Sequence, residues 1–401
     1  MPRPEPVVVV GGGPGGSATA VRLARRGHAV TVLDRARFPR DKACSEYGSP
    51  STVRELARLG VLPAVEAHGA TALTGTRVVA AAGSALLGRF ANAGGRPWRP
   101  TGLALPRREL DAALLSRARA EGATVLEGAR CVGVERQGGT MRVTYEDAGR
   151  RREICARVVV GADGLRSRVA RSVTGVRRGR LARLAFVAHV EGVRGLDTDA
   201  EMHVGAGAYV GLNPLGGGVT NVALVVRHDE ATSAAGDPAR FVAERLAGFP
   251  GLADRVDPSR LVREWLVTGP FDAAARRSTA DGALLVGDAA DFFDPFTGEG
   301  IWSALIGARM AARTLDGALA QEGPVTEAML APYRAARRRR FLGKWMVERM
   351  IGYAMLHPRL FDRCVGRLQR RGMADTLIGV TGDFVPAWRV LNPAFLGRMV
   401  A

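Results

Sequence analysis

Cysteine is scarce in this sequence, and the four present, Cys44, Cys131, Cys155 and Cys364, stand far apart with no C-x-x-C pair. That spacing excludes a zinc ribbon or a disulfide framework, and it fits a reducing, cytoplasmic compartment with no metal site. Aromatic residues make up only 6%. Nucleic-acid binding wants them interleaved with basic residues on one face, so no nucleic-acid partner is expected. No uninterrupted apolar run approaches the roughly 18 residues of a membrane-spanning helix. The start, Met1-Pro2-Arg3-Pro4-Glu5-Pro6, lacks an apolar core and a small-residue cleavage site, so no secretory signal is expected. Lysine is almost missing. Of 57 basic residues only Lys42 and Lys344 are lysines.

What is there is an ordinary globular chain. Its 401 residues are 47% apolar and 24% charged, enough for two or three domains at about 150 residues each. The net charge of +18 is mostly an arginine bias spread along the chain. One part is local: residues 331–371 carry Arg337-Arg338-Arg339-Arg340 and few acids. This stretch is either a solvated helical face or a peripheral contact with an anionic membrane or carrier protein.

Val7-Val8-Val9-Val10 is β-branched and short, as a buried parallel strand would be. It runs straight into Gly11-Gly12-Gly13-Pro14-Gly15-Gly16, then a helical stretch from Ser17, then a second strand ending in Asp34. In such a unit Gly11 permits the tight turn, Gly13 lets a diphosphate approach the backbone and Gly16 allows close helix packing. The helix N-terminus offers free N–H groups to the phosphates, and Asp34 is placed to accept ribose hydroxyls. The sequence therefore holds a dinucleotide cradle, open at this point to NAD or FAD. Two later strands also end in aspartates: Val158 to Val160 leads to Gly161-Ala162-Asp163-Gly164, and Ala283 to Val286 leads to Gly287-Asp288. Beyond the second comes Asp294-Pro295-Phe296-Thr297-Gly298-Glu299-Gly300-Ile301, which opens another helix.

Together these motifs resemble the FAD-dependent oxidoreductases of the p-hydroxybenzoate hydroxylase fold, across residues 5–325. The resemblance implies an α/β architecture: a Rossmann-like FAD-binding domain (1–75, 101–175 and 276–325), an inserted antiparallel β-sheet substrate domain (76–100 and 176–275) and a C-terminal helical region (326–401). It implies FAD as cofactor, held by Gly11, Gly13, Pro14, Gly15, Gly16, Asp34, Arg35, Arg40, Arg107, Asp163, Asp288, Pro295, Gly298, Glu299, Gly300 and Ile301. No second G-x-G-x-x-G follows a strand, so NAD(P)H would bind only transiently as reductant, as the resemblance implies, or another reductant would serve. Oligomeric state is not encoded legibly.

Two branches of the family are in view. Lys42-Ala43-Cys44-Ser45-Glu46 resembles the Lys-x-Cys-Gly-Gly segment of geranylgeranyl reductases but lacks both glycines. Tyr209-Val210-Gly211-Leu212-Asn213-Pro214 keeps the tyrosine and proline of their Tyr-x-Trp-x-Phe-Pro strand but loses both other aromatics. The leading expectation is an NAD(P)H- and oxygen-dependent monooxygenase that hydroxylates or epoxidises a largely apolar small molecule in specialised metabolism. The alternative is an ene-reductase acting on an isoprenoid-type double bond. Lys42, Cys44 and Tyr209 are the candidate catalytic residues; Lys42 beside Cys44 can lower the thiol pKa or place charge near the flavin. The flavin halogenases' Trp-x-Trp-x-Ile-Pro string is absent.

Overall fold

The computed structural model describes residues 5–231, 236–249 and 251–400; the sequence start at Met1–Pro4 lies outside them. The first sheet has a parallel centre in the order Ala283–Leu285, Arg150–Gly161, Glu5–Val10, Val30–Asp34, Thr124–Glu127. Val7, Val8 and Val9 are fully buried, as an unbroken β-branched run covered on both faces should be. One face carries the helices Pro14–Ala24, Arg107–Ala120 and Gly300–Leu319, through Ala18, Val21, Leu110, Leu114, Leu305 and Leu315. The other is covered by the antiparallel strands Arg130–Gln137 and Thr140–Asp147 and the short helix Arg168–Val173.

The second sheet has seven strands in the order Leu261–Thr268, Arg183–Glu191, Val219–Arg227, Tyr209–Gly216, Asp199–Val204, Gly75–Val79, Ala85–Arg89. Every pair is antiparallel except Asp199–Val204 with Gly75–Val79. Asp199–Val204 and Tyr209–Gly216 are separate strands with a tight turn between them. Gly205 and Gly207, the latter at φ +75°, turn the chain back on itself. Side-chain alternation then separates two layers. Phe186, Val210, Val222 and Leu224 pack on the helix Pro238–Ala247, while Ala185, Val187, Ala223 and Val225 face the opposite way.

That opposite face is closed by the C-terminal helices Glu327–Ala354, Pro358–Arg370 and Ala374–Thr381. Pro358 begins its helix at the first turn, where a missing N–H costs nothing. Val347, Ile351, Phe361, Val365, Leu368 and Ile378 cluster with Val78, Leu86 and Phe90 of the sheet side. Each such buried side chain is worth about 1.5–3 kcal/mol relative to exposure, so these helices form a fixed wall.

Candidate functional site

The Glu5–Val10 strand ends at Gly11, whose φ of +105° suits glycine. A methyl group there would strike the Ala162 carbonyl, and one on Gly16 would overlap the Gly11 carbonyl. The chain therefore passes directly into the Pro14–Ala24 helix, with Gly13 at its N-cap and Pro14 setting the first turn. Its free N–H groups point past the carboxyl ends of the parallel strands. A methyl on Gly13 would meet only Arg40 Nη2 at 3.8 Å and Arg107 Nη2 at 3.9 Å. Asp111, fully buried, fixes both arginines. It accepts from Arg107 Nε at 2.8 Å and Nη2 at 2.7 Å, and lies 2.9 Å from Arg40 Nη1. Burial opposes the Arg107 charge, but Asp111 outweighs it and raises the pKa above the ordinary arginine value. A helix N-terminus under two held guanidiniums is the donor set of a diphosphate site.

Asp34 closes one side of the cradle. Its Oδ2 accepts from the Gly12 N–H at 2.7 Å and its Oδ1 from the Ala36 N–H at 2.8 Å. Each oxygen keeps a lone pair for a ribose hydroxyl. At the other end, Asp288 sits on a single turn, Gly287–Ala289. Burial raises its pKa, with Lys42 and then Arg107 pulling it back. Lys42 is held below the usual lysine range by burial and then by Arg107, and Asp288 works against both.

The Pro295–Thr297 turn is built on a buried polar group. Asp294 accepts from the Phe296 N–H at 3.0 Å, from the Tyr209 hydroxyl at 2.7 Å and from Arg183 Nη1 at 2.5 Å. Gly298 then takes φ +70°, and a methyl on it would meet the Tyr47 ring at 2.8 Å. The helix Gly300–Leu319 starts directly after. Tyr209 thus supports the turn from beneath. Tyr209→Phe is expected to cost about 1–2 kcal/mol of stability, measured by denaturant unfolding, while leaving the turnover of folded protein close to wild type.

Between these ends runs the 40–47 segment. Glu46, buried and at φ +57°, anchors it. Its carboxylate accepts from the Arg107 N–H at 2.8 Å and from Asn221 Nδ2 at 2.9 Å, and meets His189 Nε2 at 2.6 Å. Asn213 Nδ2 donates to the Glu46 carbonyl at 2.8 Å, and Arg263 Nη1 lies 3.6 Å from Oε1. Burial would raise the Glu46 pKa, yet His189 and its other donors bring it below the ordinary glutamate value. The Cys44 sulfur accepts from the Glu46 N–H at 3.3 Å, and Arg107 is the guanidinium within its reach.

Behind the turn lies a cavity of about 1100 Å³, its open mouth included. Tyr47, Val78, Met202 and Leu212 line the sheet side, Pro295 to Gly298 close one end, and Ile351, Phe361 and Leu368 form the helical wall. The lining is overwhelmingly apolar, which suits a long hydrophobic ligand.

A family model described as FAD binding domain matches residues 5–346. The chain belongs to the FAD-binding domain family. This flavoprotein is 32% identical over 335 residues to the menaquinone reductase of Mycobacterium tuberculosis, covering 77% of this chain and 76% of the relative. It is 30% identical over 380 residues to the digeranylgeranylglycerophospholipid reductase of Methanothrix thermoacetophila, covering 90% of each. Among solved structures, a flavoprotein/dehydrogenase from Cytophaga hutchinsonii superposes with a TM-score of 0.82 at 19% identity, over 99% of this chain and 96% of that one. The protein is an FAD-dependent oxidoreductase with a Rossmann-like domain and an inserted substrate sheet.

In this flavoprotein the expected cofactor residues fall into two groups. Gly11, Gly13, Pro14, Gly15, Gly16, Asp34, Arg40 and Arg107 share the cradle, and Gly15 packs on Val286 and Ala304. Asp288, Pro295, Gly298, Glu299, Gly300 and Ile301 share the far end with Lys42. Arg35 stands apart, whereas Asp163 has its Cα against Gly11 at the cradle. Arg35 is exposed beyond the Asp34 strand end. Asp163 takes the Ser167 hydroxyl at 2.5 Å and the Arg168 N–H at 2.6 Å, and so caps a helix. Of the candidate catalytic residues, Cys44 and Lys42 flank the cradle, and Tyr209 lies beneath the turn. Glu46 escaped sequence reasoning, although its standing where reductases carry glycine was the available signal. The φ of +57° explains why glycine suits that position.

Proposed function

We propose that this flavoprotein reduces a carbon–carbon double bond in an isoprenoid-type chain, with NAD(P)H as the source of hydride. The apolar cavity ending on the Pro295–Gly298 turn carries this reading. The two relatives named above, about a third identical over most of both chains, are called reductases of menaquinone and of a geranylgeranyl lipid. That shifts the weight from oxygen insertion, the leading expectation of the sequence, to reduction. Bound FAD would supply hydride transfer: a hydride and a proton add across the double bond and the reduced flavin is oxidised. The chain's own part is to hold the cofactor through the Gly13 cradle, Arg40, Arg107, Asp34 and Asp288, to exclude water with the cavity wall, and to orient the chain past Tyr47. Oxygen insertion into an apolar molecule is the second reading, favoured by Ser45 and Glu46 in place of the reductase glycines. Reduced protein mixed anaerobically with a polyprenyl lipid tests the choice. Return of the oxidised flavin spectrum supports reduction; a flavin that stays reduced until oxygen is admitted supports oxygenation.

The basic C-terminal face bears on how such a substrate would arrive. Leu342, Met346 and Tyr353 recur at helical spacing on one exposed side of Glu327–Ala354, continued by exposed Leu356 and Leu360. Exposed Arg338, Arg339, Arg349, Arg359 and Arg363 flank them. Met350, Ile351 and Ala354 of the same helix line the cavity. Apolar side chains rimmed by arginines match an anionic membrane surface, from which a lipid substrate would enter. Sedimentation with phosphatidylglycerol vesicles is expected to fall at least about tenfold in the Leu342→Glu/Met346→Glu variant. Wild-type protein that ignores these vesicles but binds an acidic carrier protein through the same face would overturn this part.

A further inference from the structure

The second lysine lies in a buried acid cluster. Lys344 Nζ is 3.0 Å from Glu348 Oε1 and 3.2 Å from Asp383 Oδ2, and its side chain is 9% exposed. Arg340 Nη1 reaches Asp383 Oδ1 at 3.6 Å, and the Trp302 ring carries both cations, Arg340 at 4.3 Å and Lys344 at 5.7 Å. The third carboxyl is Glu299, 2% exposed. Neither of its oxygens has a hydrogen bond of ordinary geometry, and the Ser49 and Tyr47 hydroxyls are its other polar neighbours. Thr297 Oγ1 donates to Glu348 Oε1 at 3.4 Å, and Thr297 also lines the cavity. The cluster therefore stands directly behind the turn that closes the cavity.

Charge counting makes the arrangement specific. Three carboxylates face Lys344 and one half-exposed arginine. Glu348 also faces Asp291, whose own charge is taken by Arg337. A desolvated carboxylate with no charged group in direct contact and only the Ser49 hydroxyl as a neighbouring donor is expensive to keep ionised. Burial raises the pKa of all three carboxyls and Lys344 pulls each of them back, but Lys344 touches only Glu348 and Asp383, so Glu299 is the member left to carry a proton. Glu299 is also the N-cap residue of the Gly300–Leu319 helix. A negative charge there would offset the helix's positive end, worth about half an elementary charge.

We propose that Glu299 is a neutral carboxylic acid in the working protein, and that its neutrality leaves the Gly300–Leu319 helix start free to stabilise the negative charge of reduced flavin. The proposal rests on the assignment of FAD to this site. Burial pushes the Glu299 pKa up to about 8 against the pull of Lys344, with Asp383 adding to the rise. The acid thus holds its proton at neutral pH. Reduced flavin beside it would raise the pKa further, so between the two values reduction takes up one additional proton at Glu299. The potential must then fall more steeply with pH above about 8 than below it.

Two measurements test this on the whole protein. Infrared difference spectra of apoprotein titrated across pH 8 should show a protonated-carboxyl band that disappears with rising pH and is missing from Glu299→Gln. Spectroelectrochemical titration of the FAD-loaded protein should show the steeper slope above pH 8 in the wild type. Glu299→Gln, neutral at every pH, should match the wild-type potential at low pH and lack the change of slope. The proposal is overturned if the infrared band persists in Glu299→Gln, or if both proteins share one pH dependence of the potential. A protein that takes up no FAD would defeat the cofactor assignment, while the infrared result would still decide the protonation of Glu299.

Discussion

Arg107→Met is expected to purify without FAD and to be about 3 kcal/mol less stable than the wild type. Two effects combine in it. Arg107 supplies one of the two guanidiniums above the Gly13 helix start, and that donor would be lost. It also gives both hydrogen bonds that satisfy fully buried Asp111. Arg40 at 2.9 Å can neutralise only part of the charge left behind. Methionine keeps much of the side-chain volume, so the loss is electrostatic and not a cavity effect. The double variant Arg107→Met/Asp111→Leu separates the two effects. Removing both partners of a buried ion pair is often nearly neutral, so stability should return while FAD retention does not. Denaturant unfolding and the flavin absorbance of purified protein measure each arm. An Arg107→Met protein that keeps a full complement of FAD would remove the cradle from the account.

The second large effect is expected at the cavity. Ala200 and Ala354 line it from opposite sides, one on the sheet and one on the long C-terminal helix. Ala200→Trp or Ala354→Trp should fill the space that the lipid chain occupies. Turnover of a polyprenyl substrate should drop by about 100-fold or more, the scale of a misplaced substrate. FAD content should stay unchanged, because neither residue lies near the Gly11–Gly16 cradle. Overpacking costs about 1–3 kcal/mol, so thermal unfolding run beside the assay separates blockage from instability. Unchanged turnover in both variants would place the substrate elsewhere.

The parts of the candidate site written in contiguous residues are legible in the sequence as local structure. Strand, glycine turn, helix, second strand and Asp34 follow one another within a short span, and each has a local physical reason. The Pro295–Ile301 turn was legible for the same reason. What the sequence hid depends on distant partners. Glu46 draws its meaning from His189, Asn213, Asn221 and Arg263, all contributed by the second sheet. Nothing near Glu46 in the chain announces them. Tyr209 stands among the candidate catalytic residues in the sequence because Asp294, the partner that makes it a support for the turn, lies 85 positions away. Lys344 stood out by rarity alone, and only folding brings it to Glu299 and Asp383. The C-terminal region read as helices, but its role as the cavity's wall came from packing against Leu86 and Phe90.

The central claim, that this flavoprotein adds hydrogen to an apolar chain, meets its most direct test in the mass of the product. The FAD-loaded protein, NAD(P)H and a polyprenyl lipid are incubated with and without oxygen and the lipid is weighed by mass spectrometry. The lipid is expected to gain two hydrogen atoms per saturated bond, equally well under anaerobic conditions. A product formed only in air and heavier by one oxygen atom would contradict it and return the protein to the oxygenases.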